Sequence, residues 1–283
     1  HGDDACDQTF GNSVAVTRAG AVVTFQETYD ESPDAGGAPG RNQYLAVTVD
    51  PATGARTGGP YLIGQAYDGL NEHDYPASVG GSQTLHDSQF NLDGEGNVTG
   101  DQTDRSGLHL AIVWYDDRNA PHPVDADPYK AITDADIVVS QTYDGGQTWS
   151  APIAISRRND QFMPWAAYDA HGLLQVGFFD RAYDPDNHKY GFTLASEKAP
   201  GSLTFSFRKV STALSDPTRD NLASRGTINP AFPFPAVSIG DYPGLAVAPD
   251  AVVAYWTDLR TDACAGGRCG HRQDSYFASI PNP

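Results

Sequence analysis

The sequence predicts an all-β fold, a β-propeller of four-stranded antiparallel blades. Glycine (29), proline (20) and tyrosine (14) are frequent among the 283 residues, and hydrophobic residues make up 39%. Such a composition favours many short strands joined by turns around an apolar core. Apolar runs of strand length recur between turn signals, in groups of up to four. We expect residues 1–283 to form a single domain, and the number of blades is left open.

The clearest element is a hairpin whose tip reads Thr142-Tyr143-Asp144-Gly145-Gly146-Gln147-Thr148-Trp149. Strand-like runs at 135–141 and 151–156 lead into it and out of it. Asp144 can accept hydrogen bonds from nearby backbone N–H groups, and the two glycines tolerate positive φ. Trp149 offers a large apolar surface at the start of the returning strand. The stretch therefore predicts a hairpin with an aspartate at its tip and a tryptophan at its base.

The first of four units precedes this hairpin. Its strands are predicted at 13–18, 21–27, 43–49 and 60–64. Turn residues separate them, including Ala19-Gly20 and Asp50-Pro51, and four antiparallel strands in sequence describe one propeller blade.

The second unit follows a long polar, glycine-rich region at 65–107, in which only 89–92 and 96–99 look like strands. A connection of this length inside a compact domain is usually functional or poorly ordered. The remaining strands of the unit are predicted at 108–116, 136–141 and 151–156.

The third and fourth units complete the pattern. The third has predicted strands at 162–169, 173–180, 190–196 and 204–210. Its last hairpin tip, which begins at Glu197, lacks the aspartate of the second unit. The fourth begins after an apolar run at 236–239 and has three predicted strands, at 244–248, 251–258 and 274–280.

The second long strand of each unit ends in an aromatic residue, any residue and an acidic residue. The four copies are Phe25-Gln26-Glu27, Trp114-Tyr115-Asp116, Phe178-Phe179-Asp180 and Trp256-Thr257-Asp258. Three of them are accompanied by arginines, Arg118, Arg181 and Arg260. Two interpretations stay open. The pairs are either ion pairs or turn clamps repeated in each blade, or the arginines form a cluster that binds a ligand.

The hairpin resembles the Asp-box of the sialidase-like, or BNR-repeat, β-propeller superfamily. The matching residues are Thr142, Asp144, Gly146, Thr148 and Trp149. The resemblance implies a propeller of four-stranded blades, in which Asp-boxes lie at the periphery and have a structural role. It implies no activity, because many members are glycoside hydrolases and many are secreted proteins without established catalysis. The Phe/Tyr-Arg-Ile-Pro motif of sialidases does not occur in this sequence.

A hydrolase would need two carboxyl groups on either side of a glycosidic bond. Glu72 and Asp87 are the candidates, with His73 or His86 tuning them. Tyr242 is a candidate nucleophile, although a tyrosine before a buried strand can equally serve packing. The same loop residues allow a metal site, but ligand-type residues in a polar loop are more often solvated. We expect no cofactor, and a structural calcium ion has no specific support.

The formal net charge of −18 makes a nucleic acid or an anionic membrane an improbable partner. No apolar run of eighteen residues occurs, so no transmembrane helix is predicted. We expect a monomer.

The cysteines indicate export. Cys264 and Cys269 bracket a short flexible loop that suits a local disulfide, and Cys6 has no evident partner. Neither an initiator methionine nor a signal peptide opens the sequence, which looks processed or cut. With the three-stranded last unit, Cys6 motivates the hypothesis that the natural protein has more blades.

The function predicted from these features is that of a secreted, non-catalytic propeller. Its long loops suit binding of an extracellular protein, for example a protease, or of a glycan. The alternative is a glycoside hydrolase of sialidase-like type that uses a carboxylate pair.

Overall fold

The computed structural model describes residues 8–28, 43–67, 85, 94–120, 134–219, 239, 242–265 and 268–282. These residues form fifteen β-strands and one 3-10 turn, Pro217–Arg219. They contain no helix of the length and apolarity needed to cross a membrane.

The strands form four antiparallel sheets, each following chain order, which we number as blades 1 to 4. Blade 1 contains β1 (Gln8–Val16), β2 (Ala21–Thr28), β3 (Gln43–Val49) and β4 (Arg56–Gln65). Blade 2 contains β5 (Asn97–Gly100), β6 (Leu110–Asp116), β7 (Asp136–Thr142) and β8 (Ile153–Ile155). Blade 3 contains β9 (Gln161–Tyr168), β10 (Leu174–Asp180), β11 (Gly191–Glu197) and β12 (Phe205–Lys209). Blade 4 contains β13 (Gly244–Val247), β14 (Ala251–Ala265) and β15 (Arg268–Pro281). The predicted fold class, all-β with antiparallel propeller-type blades, is confirmed.

Blade 4 differs from its prediction at the hairpin between β14 and β15. The sequence indicated that these strands stop near 258 and resume near 274, whereas pairing continues to the tip. The predicted disulfide is confirmed, and it joins Cys264 to Cys269, which lie directly opposite each other with Cα atoms 4.1 Å apart. This covalent link holds together a polar ribbon that apolar patterning alone does not identify as strand. The predicted strand at 89–92 and most of the run at 236–239 lie outside the described residues.

The four blades stand side by side in chain order. Their first strands, β1, β5, β9 and β13, contact one another in sequence. The last strands, β4, β8 and β12, form the outer edges of their sheets. This is the arrangement of propeller blades, whose first strands line the central axis.

Two apolar clusters hold the blades together. The smaller one joins blade 1 to blade 2 and includes Ala15, Tyr44, Ile112 and Trp114. The larger one runs through blades 2, 3 and 4 and includes Tyr115, Phe179, Phe192 and Trp256. Blade 2 contributes alternate residues of β6 to the two clusters, because successive side chains of a strand point to opposite faces.

The hairpin between β7 and β8 has the turn chemistry expected of its sequence. Asp144 Oδ1 accepts hydrogen bonds from the backbone N–H groups of Gln147 and Thr148, each at 2.9 Å. The hydroxyl of Thr148 donates to Asp144 Oδ2 at 2.6 Å. Gly146 has φ of +92°, and a Cβ there would lie 3.0 Å from Val22 of blade 1. The tip is therefore fixed internally and fits closely against the neighbouring blade.

Candidate functional site

The two ends of the blades are chemically different. At one end the second strand of each blade finishes and the first strand begins, and we call this end the crossover face. Asp116, Asp180 and Asp258, the acidic residues of the repeat, all lie there. The hairpin with Asp144 lies at the opposite end, because it joins the third strand of blade 2 to the fourth.

Blades 2 and 4 share one arrangement around the aspartate of the repeat. Trp114 donates its indole N–H to Asp116 at 2.9 Å, and Trp256 donates to Asp258 at 3.1 Å. Arg118 reaches Asp116 through Nε at 2.8 Å and Nη2 at 2.7 Å. Arg260 reaches Asp258 through Nε at 2.8 Å and Nη2 at 2.5 Å. Each buried carboxylate thus holds a bidentate arginine from two residues further along the chain.

Blade 3 reaches the same result with different residues. The position two residues after Asp180 is Ala182, whose backbone N–H donates to Asp180 at 2.8 Å. The arginine comes instead from the preceding crossover, where Arg157 forms an ion pair with Asp180. Thr193 replaces the tryptophan and donates its hydroxyl to Asp180 at 2.7 Å. Asp180 thus occupies the position of Asp116 and Asp258, but different residues bind its carboxylate.

Arg181 has a separate partner. Its side chain is fully buried and its Nη1 lies 3.0 Å from Asp160 Oδ2. The three arginines that the sequence placed in a possible binding cluster are therefore each paired with an aspartate of the protein. These pairs have the geometry of clamps between the strand ends and the crossovers.

The ion pair in blade 4 also sets the charge states of Asp258 and Arg260. Burial alone would raise the pKa of Asp258, but hydrogen bonds from Arg260 and Trp256 and the charge of Arg260 lower it below its ordinary value. The hydrogen bond from Asp258 raises the pKa of Arg260. Both groups are consequently ionised across the physiological range, and each satisfies the other.

Asp136, which pairs across the sheet with Asp116, has a different environment. Burial raises the pKa of Asp136 to about 6, although hydrogen bonds from Asn119 and Ser156 act in the opposite direction. Asn119 lies 2.6 Å and Ser156 3.0 Å from Oδ2. Within the described part of the chain, Oδ1 has no hydrogen-bond partner. A buried carboxylate with one unmatched oxygen favours its protonated form.

A second arrangement at the crossover face combines a tyrosine, a glutamate and a tryptophan. Tyr242 precedes β13, and its hydroxyl donates to Glu95 Oε1 at 2.9 Å. The Tyr242 ring meets the ring of Trp165 on β9 edge to face, with centroids 6.1 Å apart. Glu95 is buried, whereas 54% of Tyr242 is exposed. The three residues come from blades 2, 3 and 4, next to the first strands that line the axis.

The segment that carries Glu95 is fixed by close packing. A Cβ on Gly96 would lie 1.8 Å from the carbonyl oxygen of Val113, so only glycine allows this approach to β6. Gly94 has φ of +72°, and its carbonyl accepts a hydrogen bond from the hydroxyl of Tyr44. The glutamate therefore has a defined position between two glycines that are held by neighbouring strands.

The sequence identified Tyr242 but not its partner. The stretch Asp93-Gly94-Glu95-Gly96 is rich in turn residues, so its sequence favours an ordinary turn. Its position directly before the first strand of a blade was the available signal. Glu72, His73, His86 and Asp87 lie outside the described residues. No three His, Cys, Asp or Glu side chains come together as a metal site in the described ranges.

No family model matches the sequence, and no curated protein matches it. Among solved structures, the neuraminidase-like protein from A/bat/Guatemala/164/2009 has 8% identity and a TM-score of 0.46, covering 92% of this chain and 51% of its own. The NanB sialidase from Streptococcus pneumoniae has 8% identity and a TM-score of 0.49, covering 97% and 53%. A thermostable family-43 glycoside hydrolase has 11% identity and a TM-score of 0.39, covering 97% and 76%. The chain thus spans about half the length of the first two.

These similarities concern the path of the chain at very low identity. The function of this protein therefore has to follow from its own side chains.

Replacing Arg260 by alanine is expected to destabilise the protein by about 3 kcal/mol or more, because it leaves the buried Asp258 carboxylate without its cation. The matched control is Arg272→Ala, which removes an exposed partner of Asp274 and is expected to cost less than about 1 kcal/mol. Urea unfolding followed by tryptophan fluorescence measures both. Equal losses in the two variants would contradict the clamp.

The Asp136→Asn variant is expected to become more stable relative to wild type as the pH rises. The raised pKa of Asp136 means that the folded state binds more protons than the unfolded state between about pH 4 and 6. The contribution of protonated Asp136 to the free energy of unfolding is therefore present at acidic pH and is lost as the pH rises through this window. The variant should gain on the order of 2 kcal/mol relative to wild type between pH 4 and 7.

Thermal and urea unfolding at each pH measure this difference. Asp50→Asn is the control with the opposite sign, because a backbone hydrogen bond from Ala52 lowers the pKa of the exposed Asp50. A wild-type and Asp136→Asn difference that does not change with pH would contradict a protonated Asp136.

Proposed function

We propose that the protein is a secreted, non-catalytic binding protein that recognises a neutral glycan at the crossover face, on Tyr242 and Trp165. The observation that carries the proposal is the half-exposed Tyr242 ring, held in place by its hydrogen bond to Glu95 and its contact with Trp165. Aromatic side chains with a polar group beside them are the usual elements of a small-ligand site.

The geometry of these three residues suits a sugar ring. The apolar face of a pyranose packs on an aromatic ring, and a carboxylate accepts hydrogen bonds from hydroxyl groups. Tyr242 can supply the ring, and Glu95, whose Oε1 accepts a hydrogen bond from the Tyr242 hydroxyl, orients it. Because the hydrogen bond to Glu95 and the contact with Trp165 restrain the Tyr242 ring, little conformational entropy is lost on binding.

The electrostatics favour a neutral ligand over an acidic one. The chain has a net charge of −18, which repels anions at a distance. Three arginines of the crossover face, Arg118, Arg157 and Arg260, are neutralised by Asp116, Asp180 and Asp258. These carboxylates are themselves buried and engaged, which supports a structural role for them.

Secretion is part of the proposal, and the disulfide between Cys264 and Cys269 supports it. Disulfides persist in oxidising compartments and are rare in the cytosol. An extracellular protein, for example a protease, is the other ligand class that fits a secreted propeller with long loops.

The second candidate is a glycoside hydrolase, and the Tyr242–Glu95 hydrogen bond specifically favours it. A tyrosine whose hydroxyl donates to a carboxylate has the geometry of a nucleophile next to its base. Such an enzyme needs a further carboxyl group as acid and base, a role for which Asp87 and Glu72 stay the predicted candidates.

Titration calorimetry against neutral oligosaccharides, beside a sialylated series, tests the proposal. Tyr242→Ala is expected to weaken neutral-glycan binding by about 10-fold or more, since an aromatic contact contributes about 1 to 2 kcal/mol. Phe207→Ala, which removes another exposed aromatic ring on the outer strand of blade 3, should leave the affinity unchanged.

Tyr242→Phe separates the two candidates. It keeps the aromatic ring, so binding should stay within a few fold of wild type. Turnover of fluorogenic glycosides by wild type that Tyr242→Phe abolishes would establish the hydrolase and contradict the binding protein. Tight binding of sialylated ligands alone, or no glycan binding at all, would also overturn the proposal.

A further inference from the structure

The end of the blades opposite the crossover face carries a cleft of its own. The hairpins that join β1 to β2, β3 to β4, β5 to β6 and β7 to β8 lie at this end, and the structure describes all four of them. A cleft of about 300 Å³, which we call the hairpin cleft, lies between the hairpin around Asp144 and the sheet of blade 1. Because described residues of blades 1 and 2 form its walls, the hairpin cleft does not depend on what adjoins the outer sides of blades 1 and 4.

The lining of the hairpin cleft combines apolar surface with uncharged polar groups. Its larger apolar side chains are Val22, Val49 and Leu108. Its polar side chains include Thr48, Thr57 and Tyr61 from blade 1 and Asp144 and Gln147 from blade 2. An apolar wall with a few polar groups beside it is the usual make-up of a small-ligand site.

Gly58 leaves room between two hydroxyl groups of the hairpin cleft. A Cβ on Gly58 would lie 2.5 Å from the hydroxyl oxygen of Tyr61 and 2.8 Å from Oγ1 of Thr48. Thr48 is already hydrogen-bonded to Thr57, with 2.9 Å between the two Oγ1 atoms. Within the described part of the chain, the hydroxyl of the half-buried Tyr61 has no hydrogen-bond partner. This hydroxyl can therefore donate to a ligand and accept from it.

Asp144 gives the hairpin cleft a negative charge, but its oxygens are already used. Oδ1 accepts hydrogen bonds from the hydroxyl of Thr142 and from two backbone N–H groups of the hairpin, and Oδ2 accepts from the hydroxyl of Thr148. Burial alone would raise the pKa of Asp144, but the hydrogen bonds from Thr148 and Thr142 lower it below its ordinary value. No described lysine or arginine lines the hairpin cleft. An anionic ligand would therefore meet repulsion without a compensating cation.

Hydrogen bonds between neighbouring hairpins hold the walls of the hairpin cleft in place. The hydroxyl of Thr17 in blade 1 donates to the carbonyl of Gly107 in blade 2 at 2.7 Å. The backbone N–H of Gly145 donates to the carbonyl of Leu108 at 3.0 Å. Because these contacts exist without a ligand, binding requires little reorganisation of the walls.

We propose that the hairpin cleft binds a single neutral sugar ring. The apolar face of a pyranose can pack on Leu108, and its hydroxyl groups can pair with the Tyr61 hydroxyl and the side-chain oxygen of Gln147. The Gln147 amide nitrogen donates to the carbonyl of Asp144 at 3.1 Å, which leaves that oxygen as an acceptor. The volume is at the lower end of ligand sites, so it suits one ring and not a longer chain. This site lies at the other end of the blades from Tyr242 and does not depend on the function proposed there.

Backbone-amide NMR of the full chain, titrated with glucose, galactose, mannose and N-acetylglucosamine to about 50 mM, tests the proposal. At least one of these sugars should shift the N–H signals of Gly145 and Gln147 saturably, with the millimolar dissociation constant expected for a ligand of few atoms. The Tyr242→Ala variant should show the same shifts, because Tyr242 lies at the crossover face. Binding in the hairpin cleft and binding at Tyr242 are thereby measured separately.

Two substitutions in the hairpin cleft should weaken this binding. Tyr61→Phe removes the free hydroxyl and should raise the dissociation constant about 5-fold. Gly58→Ala places a methyl group between the Tyr61 and Thr48 hydroxyls and should raise it about 10-fold or more. Tyr143→Phe is the matched control, because it removes the hydroxyl of an exposed tyrosine that does not line the hairpin cleft. Urea unfolding verifies that each variant is folded, and Tyr61→Phe, which adds no atom, keeps the test decisive where Gly58→Ala is not.

Three results would overturn the proposal. Sugar-induced shifts that leave Gly145 and Gln147 unmoved would do so, and shifts confined to the surroundings of Tyr242 would leave the proposed function intact. Unchanged affinity in Tyr61→Phe and in folded Gly58→Ala would place the sugar elsewhere. Tighter binding of glucuronate or glucosamine than of the four neutral sugars would contradict a site for an uncharged ring.

Discussion

The second strands of blades 2 and 3 end on a buried aspartate, and the longer second strand of blade 4 carries one at the equivalent position, Asp258. The packing of each blade requires that this charge be matched. An isolated buried carboxylate would cost several kcal/mol. Each aspartate is therefore bound by the backbone N–H two residues ahead, by a side-chain donor on its own or the adjacent strand, and by an arginine. Arg118 and Arg260 supply the charge locally, whereas Arg157 reaches Asp180 from a crossover. The same electrostatic requirement thus ties strand ends to the segments that join the blades.

This requirement decides which side chains at the crossover face remain for a ligand. Arg118, Arg157 and Arg260 are held in ion pairs, and the repeated aspartates that they bind are buried. In the described part of the chain, Tyr242 is a half-exposed aromatic group at this face, and Glu95 and Trp165 fix its ring from two other blades. The proposed glycan site is therefore built on one aromatic ring that one carboxylate orients, which would suit a hydroxyl-rich, uncharged ligand. The motif with the strongest sequence pattern, around Asp144, lies at the other end, where Gly146 fits closely against Val22 of blade 1.

Local chemistry made much of the fold predictable. The hairpin at Asp144, the disulfide at Cys264 and Cys269 and most strands follow from turn residues and period-two patterning, which act over a few residues. The extended β14–β15 ribbon did not follow, because its polar sequence pairs under the constraint of its own disulfide. The Tyr242–Glu95 contact joins residues 147 positions apart, and no periodicity encodes a contact between blades. The aromatic-x-acidic repeat was visible in the sequence, but only the geometry distinguishes a clamp from a receptor.

The most direct test of the clamp is the NMR signal of the arginine side chains. In ¹⁵N-labelled protein, the Nε–Hε resonances of Arg118 and Arg260 report on their bonds to Asp116 and Asp258. We expect both resonances to exchange slowly with solvent and to stay in place when sialic acid is added in millimolar excess. Rapid exchange, or a saturable shift of these resonances on adding the acid, would show arginines that are open to an anionic ligand and would contradict the structural role given to them.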